Sequence, residues 1–228
     1  MENPVFVLVH GAWGGSWCWR DLIALLNERH VRTLTVDLPS SREGAVASVA
    51  LEDDAREVVH ATEGLEQVVL VGHSYGGVVT TEAAAKIEGL QKLVYVAALV
   101  PLAGESATDV SRLVRIRTEL DDAIEIDGDH LRLNAQRAES ALYGECSPET
   151  SQWALSRLSS QTIASFRSPR TTLGSNRPTF YIKCRNDHAI DPGLQNVLAT
   201  RCDEHLELAS DHSPFLSHPH ELLRALLD

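Results

Sequence analysis

Residues 68–87 constrain this chain more than any other stretch. An apolar run, Val68-Val69-Leu70-Val71, passes without a gap into Gly72-His73-Ser74-Tyr75-Gly76-Gly77 and then into a helical pattern that reaches Ile87. G-x-S-x-G between a strand and a helix reads as a nucleophile elbow, a turn that presents its serine at the edge of a sheet. Glycine suits positions 72 and 76 because so sharp a turn leaves no room for Cβ, while the serine is lifted over a helix N-terminus. Such an elbow needs a sheet around its strand and helices covering both faces.

The remaining sequence supplies them. Six short runs rich in β-branched residues, Val5–Val9, Arg32–Val36, Val68–Val71, Leu93–Val96, Phe180–Cys184 and His205–Leu208, read as strands. Helical patterns over 17–29, 51–62, 75–87, 194–200 and 219–227 follow most of them. Uninterrupted apolar runs alternating with helices predict an α/β fold with a mostly parallel, six-stranded, doubly wound sheet. Between Leu99 and Pro178 the alternation stops. We therefore expect a core of residues 1–100 and 177–228 and an inserted cap, or lid, of residues 101–176, forming one structural unit. Inside the cap, Ile124, Ile126, Leu131 and Leu133 alternate with polar residues around Asp127-Gly128, the signature of a hairpin. Helical spacing returns over 135–142 and 148–159, with Ser147 as an N-cap before Pro148.

A serine hydroxyl attacks a carbonyl only when a base removes its proton, and on an elbow of this kind the acid and the histidine follow the serine in chain order. Asp187 follows the strand 179–184, and His212 sits in the turn-rich loop after the last strand. Both are at carboxyl ends of strands, where sites collect in open α/β sheets. Ser74, Asp187 and His212 are thus expected as a triad. Asp191 competes with Asp187, but its place before Pro192 suits a helix N-cap better. His73 reads as a packed or orienting side chain. His188, His218 and His220 lack the spacing of helical zinc ligands, so no metal site is expected.

A tetrahedral intermediate also needs two donors for its oxyanion. The backbone N–H of Tyr75, just after the nucleophile, and that of Ala12, in the loop His10-Gly11-Ala12-Trp13-Gly14-Gly15, are expected to supply them. His10 would brace that loop. Trp13, together with Trp17, Trp19 and unassigned cap residues, is expected to shape the substrate pocket, although tryptophans in such a segment also serve as core.

Charge and cysteine usage narrow the remaining classes. The net charge is 20 − 32 = −12, with no Lys/Arg-rich run to offset it, which argues against binding to nucleic acid or to an anionic membrane surface. No apolar run is long enough to span a membrane. Four scattered cysteines, no CxxC pair and no basic leader before Val5 suggest reduced thiols and a cytoplasmic location. A homodimer is compatible with the sequence, which does not specify one.

Nearly the whole chain resembles the α/β-hydrolases of the branch that holds plant methyl-ester esterases, hydroxynitrile lyases and related bacterial esterases. The resemblance lies in Phe6-Val-Leu-Val-His-Gly-Ala-Trp13, Gly72-His-Ser-Tyr-Gly-Gly77, Pro101-Leu-Ala-Gly-Glu-Ser106, Cys146-Ser-Pro-Glu149, Tyr181-Ile-Lys-Cys-Arg-Asn-Asp-His-Ala-Ile190 and Ser210-Asp-His-Ser-Pro-Phe215. It implies cofactor-free cleavage of a small-molecule ester (methyl, short-chain or aromatic, with a lactone or thioester as variants) through an acyl-enzyme. Lyases of the branch carry a lysine directly after the catalytic histidine, where this chain has Ser213, so lyase activity is disfavoured. The other alternative is a ligand-binding or pathway protein that kept the hydrolase site.

Overall fold

The computed structural model describes residues 4–227. In chain order its elements are β1 (Val5–Val9), α1 (Arg20–Glu28), β2 (Thr33–Val36), α2 (Leu51–Ala61), β3 (Val68–His73), α3 (Gly76–Ala83) and β4 (Leu90–Val96). Next come α4 (Ala107–Ser111), α5 (Glu119–Ala123), β5 (Ile124–Asp127), β6 (His130–Leu133), α6 (Ala135–Tyr143), α7 (Pro148–Leu155), β7 (Gln161–Thr162) and α8 (Ile163–Arg167). The chain closes with β8 (Thr179–Cys184), α9 (Pro192–Ala199), β9 (Glu204–Leu208), α10 (Pro214–Ser217) and α11 (Pro219–Leu227).

Six strands form one sheet in the order β2-β1-β3-β4-β8-β9, and every neighbouring pair is parallel. The uninterrupted apolar runs follow from helices covering both faces. Val5, Val7 and Val9 pack with Leu51, Ala55 and Val58 of α2, Val78 and Val79 of α3, and Leu194 and Leu198 of α9. The alternate residues Phe6 and Leu8 turn to the other face and meet Leu22 and Leu26 of α1 and Leu222 and Leu223 of α11. Leu8, Leu22, Leu70 and Leu198 are solvent-free, and burying each such side chain is worth about 1.5–3 kcal/mol. Truncating one, as in Leu70→Ala, adds a cavity and costs about 2–5 kcal/mol.

The strand order places the site. The chain moves from β1 outward to β2, then returns to lay β3 on the other side of β1, so the sheet changes winding direction between β1 and β3. Loops leaving the carboxyl ends of strands diverge at such a switch point and open a crevice. Val9 pairs with Gly72 there, which sets the 10–15 loop against the elbow.

The segment between β4 and β8 contributes no strand to this sheet. Its hairpin pairs Ile124 with Leu133 and Asp127 with His130, turns through Gly128 at φ +59°, and takes on β7 as a third antiparallel strand. Helix α7 begins where its signals placed it, with the Ser147 hydroxyl accepting the Thr150 N–H, but it ends at Leu155. The strand expected over 32–36 begins at Thr33, and β4 begins at Leu90, three residues before the expected start. No described helix is long and apolar enough to cross a membrane.

Candidate active site

Ser74 occupies the tip of the β3–α3 turn at φ +52°, a left-handed conformation that a non-glycine residue adopts only when its surroundings impose it. Those surroundings are close. The Ser74 N–H donates to the Val96 carbonyl, and its own carbonyl accepts from Gly77 and Leu99. A Cβ on Gly72 would lie 2.6 Å from Thr80 Oγ1, and one on Gly76 would lie 2.5 Å from the His10 carbonyl oxygen. Any side chain at either position would force the turn apart. Gly11 is constrained in the same way by the Ser74 Cβ, 2.8 Å from where its own Cβ would stand.

Asp187 and His212 meet below that turn. His212 Nδ1 donates to Asp187 Oδ2 at 2.8 Å, and both side chains are shut off from solvent. The other carboxylate oxygen accepts the backbone N–H groups of Ala189 and Ile190 at 2.7 and 2.9 Å. Gln195 of α9 donates to Oδ2 at 2.9 Å while exchanging hydrogen bonds with the Cys184 backbone. With its donors arranged around it, the carboxylate has one orientation. Asp191 does not join it: its side chain caps α9 through the N–H groups of Gly193 and Leu194. Because Nδ1–H is committed to Asp187, Nε2 is the imidazole's free nitrogen. His212 and Ser74 border one cavity.

Two further histidines hold the loops. His73 Nε2 donates to the His212 carbonyl at 2.8 Å, and its ring meets Phe215 edge-on. Burial holds its imidazole well below the usual range, with the nearby His212 adding to that effect. It therefore stays neutral and acts as a brace. His10 Nδ1 donates to the Gly11 carbonyl at 2.7 Å, and Nε2 accepts the Leu38 N–H at 3.1 Å. Burial lowers its pKa too, so the loop before Ala12 rests on a neutral ring.

Among the described residues the backbone N–H groups of Ala12 and Tyr75 have no hydrogen-bond partner. Ala12 lies in the loop after β1 and Tyr75 in the turn after β3, the two strands of the switch point. Trp13, at φ +59°, is gripped at each of its polar groups by the inserted segment: its N–H by Gln161 Oε1, its indole N–H by the Leu131 carbonyl, and its carbonyl by Ser159.

Two apolar cavities open on Ser74, and Trp13 and Leu120 line both. The smaller, about 30 Å³, holds His212, Leu142, Leu158 and Phe215. The larger, about 150 Å³, lies toward Tyr75, Leu131, Phe166, Ile190 and Leu194. Trp17 borders the small cavity, whereas Trp19 is a core residue packed on Phe215 and contributes nothing to either wall. The expectation that Trp19 shapes the pocket is corrected accordingly.

Three residues at the site were invisible to sequence reasoning. Gln195 is one, although a polar residue beside the buried Leu194 and Leu198 is a signal that something holds it there. Glu145 accepts the Asp211 N–H and takes the Asn186 amide, while its own N–H donates to Asp211, so it clasps the histidine loop to the inserted segment. Gln161, fully buried, is the third. Among the described residues Glu145, Asp211 and His218 gather potential metal-ligand atoms, yet those of the two carboxylates are engaged in this clasp. His188, set aside as a ligand from the sequence, pairs with Glu119.

Comparison with known proteins agrees with this fold. Residues 6–225 match the model of the alpha/beta hydrolase family. A putative chloroplastic methylesterase 12 of Arabidopsis thaliana is 29% identical over 98% of this chain and 70% of its own length. A carbendazim-hydrolysing esterase of Nocardioides is 45% identical over 107 residues, 44% of each chain. The crystal structure of a pyrethroid hydrolase from Sphingobium faniae superposes with a TM-score of 0.86, at 22% identity, over 100% of this chain and 97% of its own, which establishes a shared fold. From its elbow, its sheet and this match, the chain belongs to the α/β hydrolase family.

Proposed function

We propose that this protein is a serine carboxylesterase that cleaves small esters through an acyl-enzyme. One observation carries the reading: a strained serine and a histidine committed to a buried carboxylate border the same cavity, beneath two unpartnered N–H groups. Ser74 Oγ attacks the ester carbonyl while His212 Nε2 takes its proton, and Asp187 fixes the tautomer and stabilises the imidazolium. The N–H groups of Ala12 and Tyr75 hold the oxyanion. His212 then returns the proton to the leaving alcohol, and a water activated by the same nitrogen releases the acid. No step requires a metal or cofactor, and the reaction suits a cytoplasmic protein.

The cavities support an orientation for the substrate. The leaving oxygen must lie near the histidine that protonates it, and His212 borders only the smaller cavity. The alcohol portion is then small, of the size of a methyl or ethyl group, and the larger apolar cavity takes the acyl group. Methylesterase and esterase names among the relatives are consistent with that. Ser213 lines the small cavity with a neutral side chain, which offers a leaving cyanide no cation.

A fluorophosphonate probe should label one serine, mapped by mass spectrometry to the peptide containing Ser74, and abolish hydrolysis of p-nitrophenyl acetate. Labelling of a different serine, or ester turnover that survives stoichiometric labelling, would remove the basis for this reading.

A further inference from the structure

Behind the unpartnered N–H groups lies a buried polar cluster that takes no part in the proton transfers. Asp54 of α2 is solvent-free among the apolar residues Leu51, Ala55 and Val58. Its Oδ1 accepts the Ser40 N–H at 2.9 Å, and its Oδ2 accepts the Ser40 hydroxyl at 2.5 Å and the Tyr75 phenol at 2.8 Å. Ser40 Oγ in turn accepts from the Gln161 amide at 2.6 Å, and Gln161 Oε1 accepts the Trp13 N–H at 3.4 Å. The hydrogen bonds run without a break from Tyr75 through Asp54, Ser40 and Gln161 to Trp13. One end is the residue that bears one unpartnered N–H; the other directly follows Ala12, which bears the second.

This placement is costly unless it does something. An ionised carboxylate in an apolar layer gives up its hydration, and burial pushes the Asp54 carboxyl up to about 6. Packing does not call for an acid here, because its helical neighbours are core aliphatics. What the cluster does hold is two backbone positions in the left-handed region, Trp13 at φ +59° and, one residue before Tyr75, Ser74 at φ +52°. Non-glycine residues keep such angles only where several contacts over-determine them. Burial and the adjacent Asp54 charge push the Tyr75 phenol upward, so it remains a neutral donor to the carboxylate.

We propose that Asp54 is a positioning residue for the oxyanion site: through Tyr75 on one side and Ser40, Gln161 and Trp13 on the other, it fixes the spacing of the Ala12 and Tyr75 N–H groups. Gln161 belongs to β7 of the inserted segment, so that spacing also depends on the segment being seated. The inference rests on the esterase reading, and it assigns Asp54 no contact with substrate.

The test compares wild type with Asp54→Asn and Tyr75→Phe, using an aryl ester as substrate and an aryl trifluoromethyl ketone as inhibitor. The ketone adds Ser74 and places an oxyanion between the donors, so its affinity reads their spacing, whereas KM does not. Asp54→Asn removes the charge and turns an N–H against groups that are themselves donors. We expect kcat to fall about tenfold to a hundredfold, since donors shifted by about an ångström lose most of what they contribute. KM should stay within about threefold, and the ketone's inhibition constant should rise by the same factor as kcat falls. Tyr75→Phe deletes one hydrogen bond and no backbone group, and should lose several-fold in the same pattern even if the Asp54 variant fails to fold. A folded Asp54→Asn protein with wild-type kcat, or equal losses in kcat and in substrate affinity with no change in ketone binding, would overturn the inference while leaving the esterase reading intact. A wild-type protein without ester turnover would overturn both.

Discussion

β1 and β3 bury every one of their side chains, while the β5–β6 hairpin buries none of its own completely. The two regions nevertheless build one site between them. The sheet side is held by apolar packing on two faces, and it carries the serine, the carboxylate and the histidine at strand ends. The inserted segment packs Val110, Leu142 and Tyr143 into the same two cores, but its hairpin and its contacts with the loops are polar: His130 to the Ala45 carbonyl, Thr162 to the Val49 carbonyl, Gln161 to Ser40, Glu145 to the histidine loop. The groups that react sit at strand ends of the sheet, while the inserted segment supplies cavity walls through Leu131 and Leu158 and, through Gln161, a tie to the Trp13 loop. Substitutions of the reacting groups at the strand ends should therefore abolish the chemistry, and substitutions of cavity-lining residues in the inserted segment should redirect it.

Ser74→Ala should give the largest effect. Triad members act as a unit, so losing the nucleophile should cost about 10⁵–10⁶ in kcat and leave only what the oxyanion site and binding supply. Steady-state rates on highly purified protein would show it. A loss below about tenfold would mean that the measured turnover arises elsewhere.

The second pair separates two carboxylates that are four positions apart. Asp187→Asn keeps the shape but favours the wrong imidazole tautomer, an effect of about 10⁴ in a serine protease. Asp191→Asn alters the α9 cap and one point on the wall of the larger cavity, leaves the Asp187–His212 pair intact, and should change kcat less than about threefold. Similar, small losses at both would show that His212 takes its orientation from another group.

How much of this was legible depends on range. All six sheet strands could be read: burial on two faces gives β1, β3 and β4 long apolar runs, and the edge strands β2 and β9 keep alternating apolar residues. The elbow glycines could be read from their spacing around Ser74, although only Gly72 is crowded by its own turn and Gly76 meets the Val9 and His10 carbonyls of β1 and its loop. The Asp127-Gly128 hairpin and the Ser147 cap were equally local. The two-residue β7 and the five-residue α4, α5 and α8 were not, since elements that short carry no period. Ser106 and Thr118 do begin capping boxes closed by Asp109 and Asp121, but each heads a single turn. Gln161 shows the limit most clearly. Its role is defined by Ser40, 121 positions away, and by Trp13, 148 positions away, and neither distance leaves a mark in the sequence.

Stability should separate the two regions from a different direction. Burial raises the Asp54 carboxyl from 3.8 to about 6, so the folded state holds its proton more tightly than the unfolded chain does. That contribution is fully present below pH 3.8 and is lost as pH rises through about 6, an interval worth ~3 kcal/mol. Asp54→Asn removes the dependence. Whatever the offset between the two proteins at pH 4, the gap in Tm should shift in the variant's favour by pH 7, read from thermal melts at matched ionic strength. A pH-independent gap would mean that the carboxylate is solvated enough to titrate normally.

The smallest effect tests the cavities themselves. Leu131 contributes to the 150 Å³ cavity and not to the 30 Å³ one, while Leu158 contributes to the small one alone. Leu131→Trp should fill the space assigned to the acyl group. Methyl benzoate and bulkier acyl esters should lose about tenfold in kcat/KM, consistent with a few kcal/mol at most for a misfit in an apolar pocket, and acetyl esters should change less than about threefold. Leu158→Trp should do the reverse, penalising ethyl and propyl alcohols against methyl while leaving acyl preference unchanged. Both variants leave Ser74, Asp187 and His212 untouched, so phosphonate labelling should proceed at near wild-type rates. If Leu131→Trp instead discriminates by alcohol length, the substrate lies across the serine in the opposite direction, and the small cavity beside His212 takes the acyl chain.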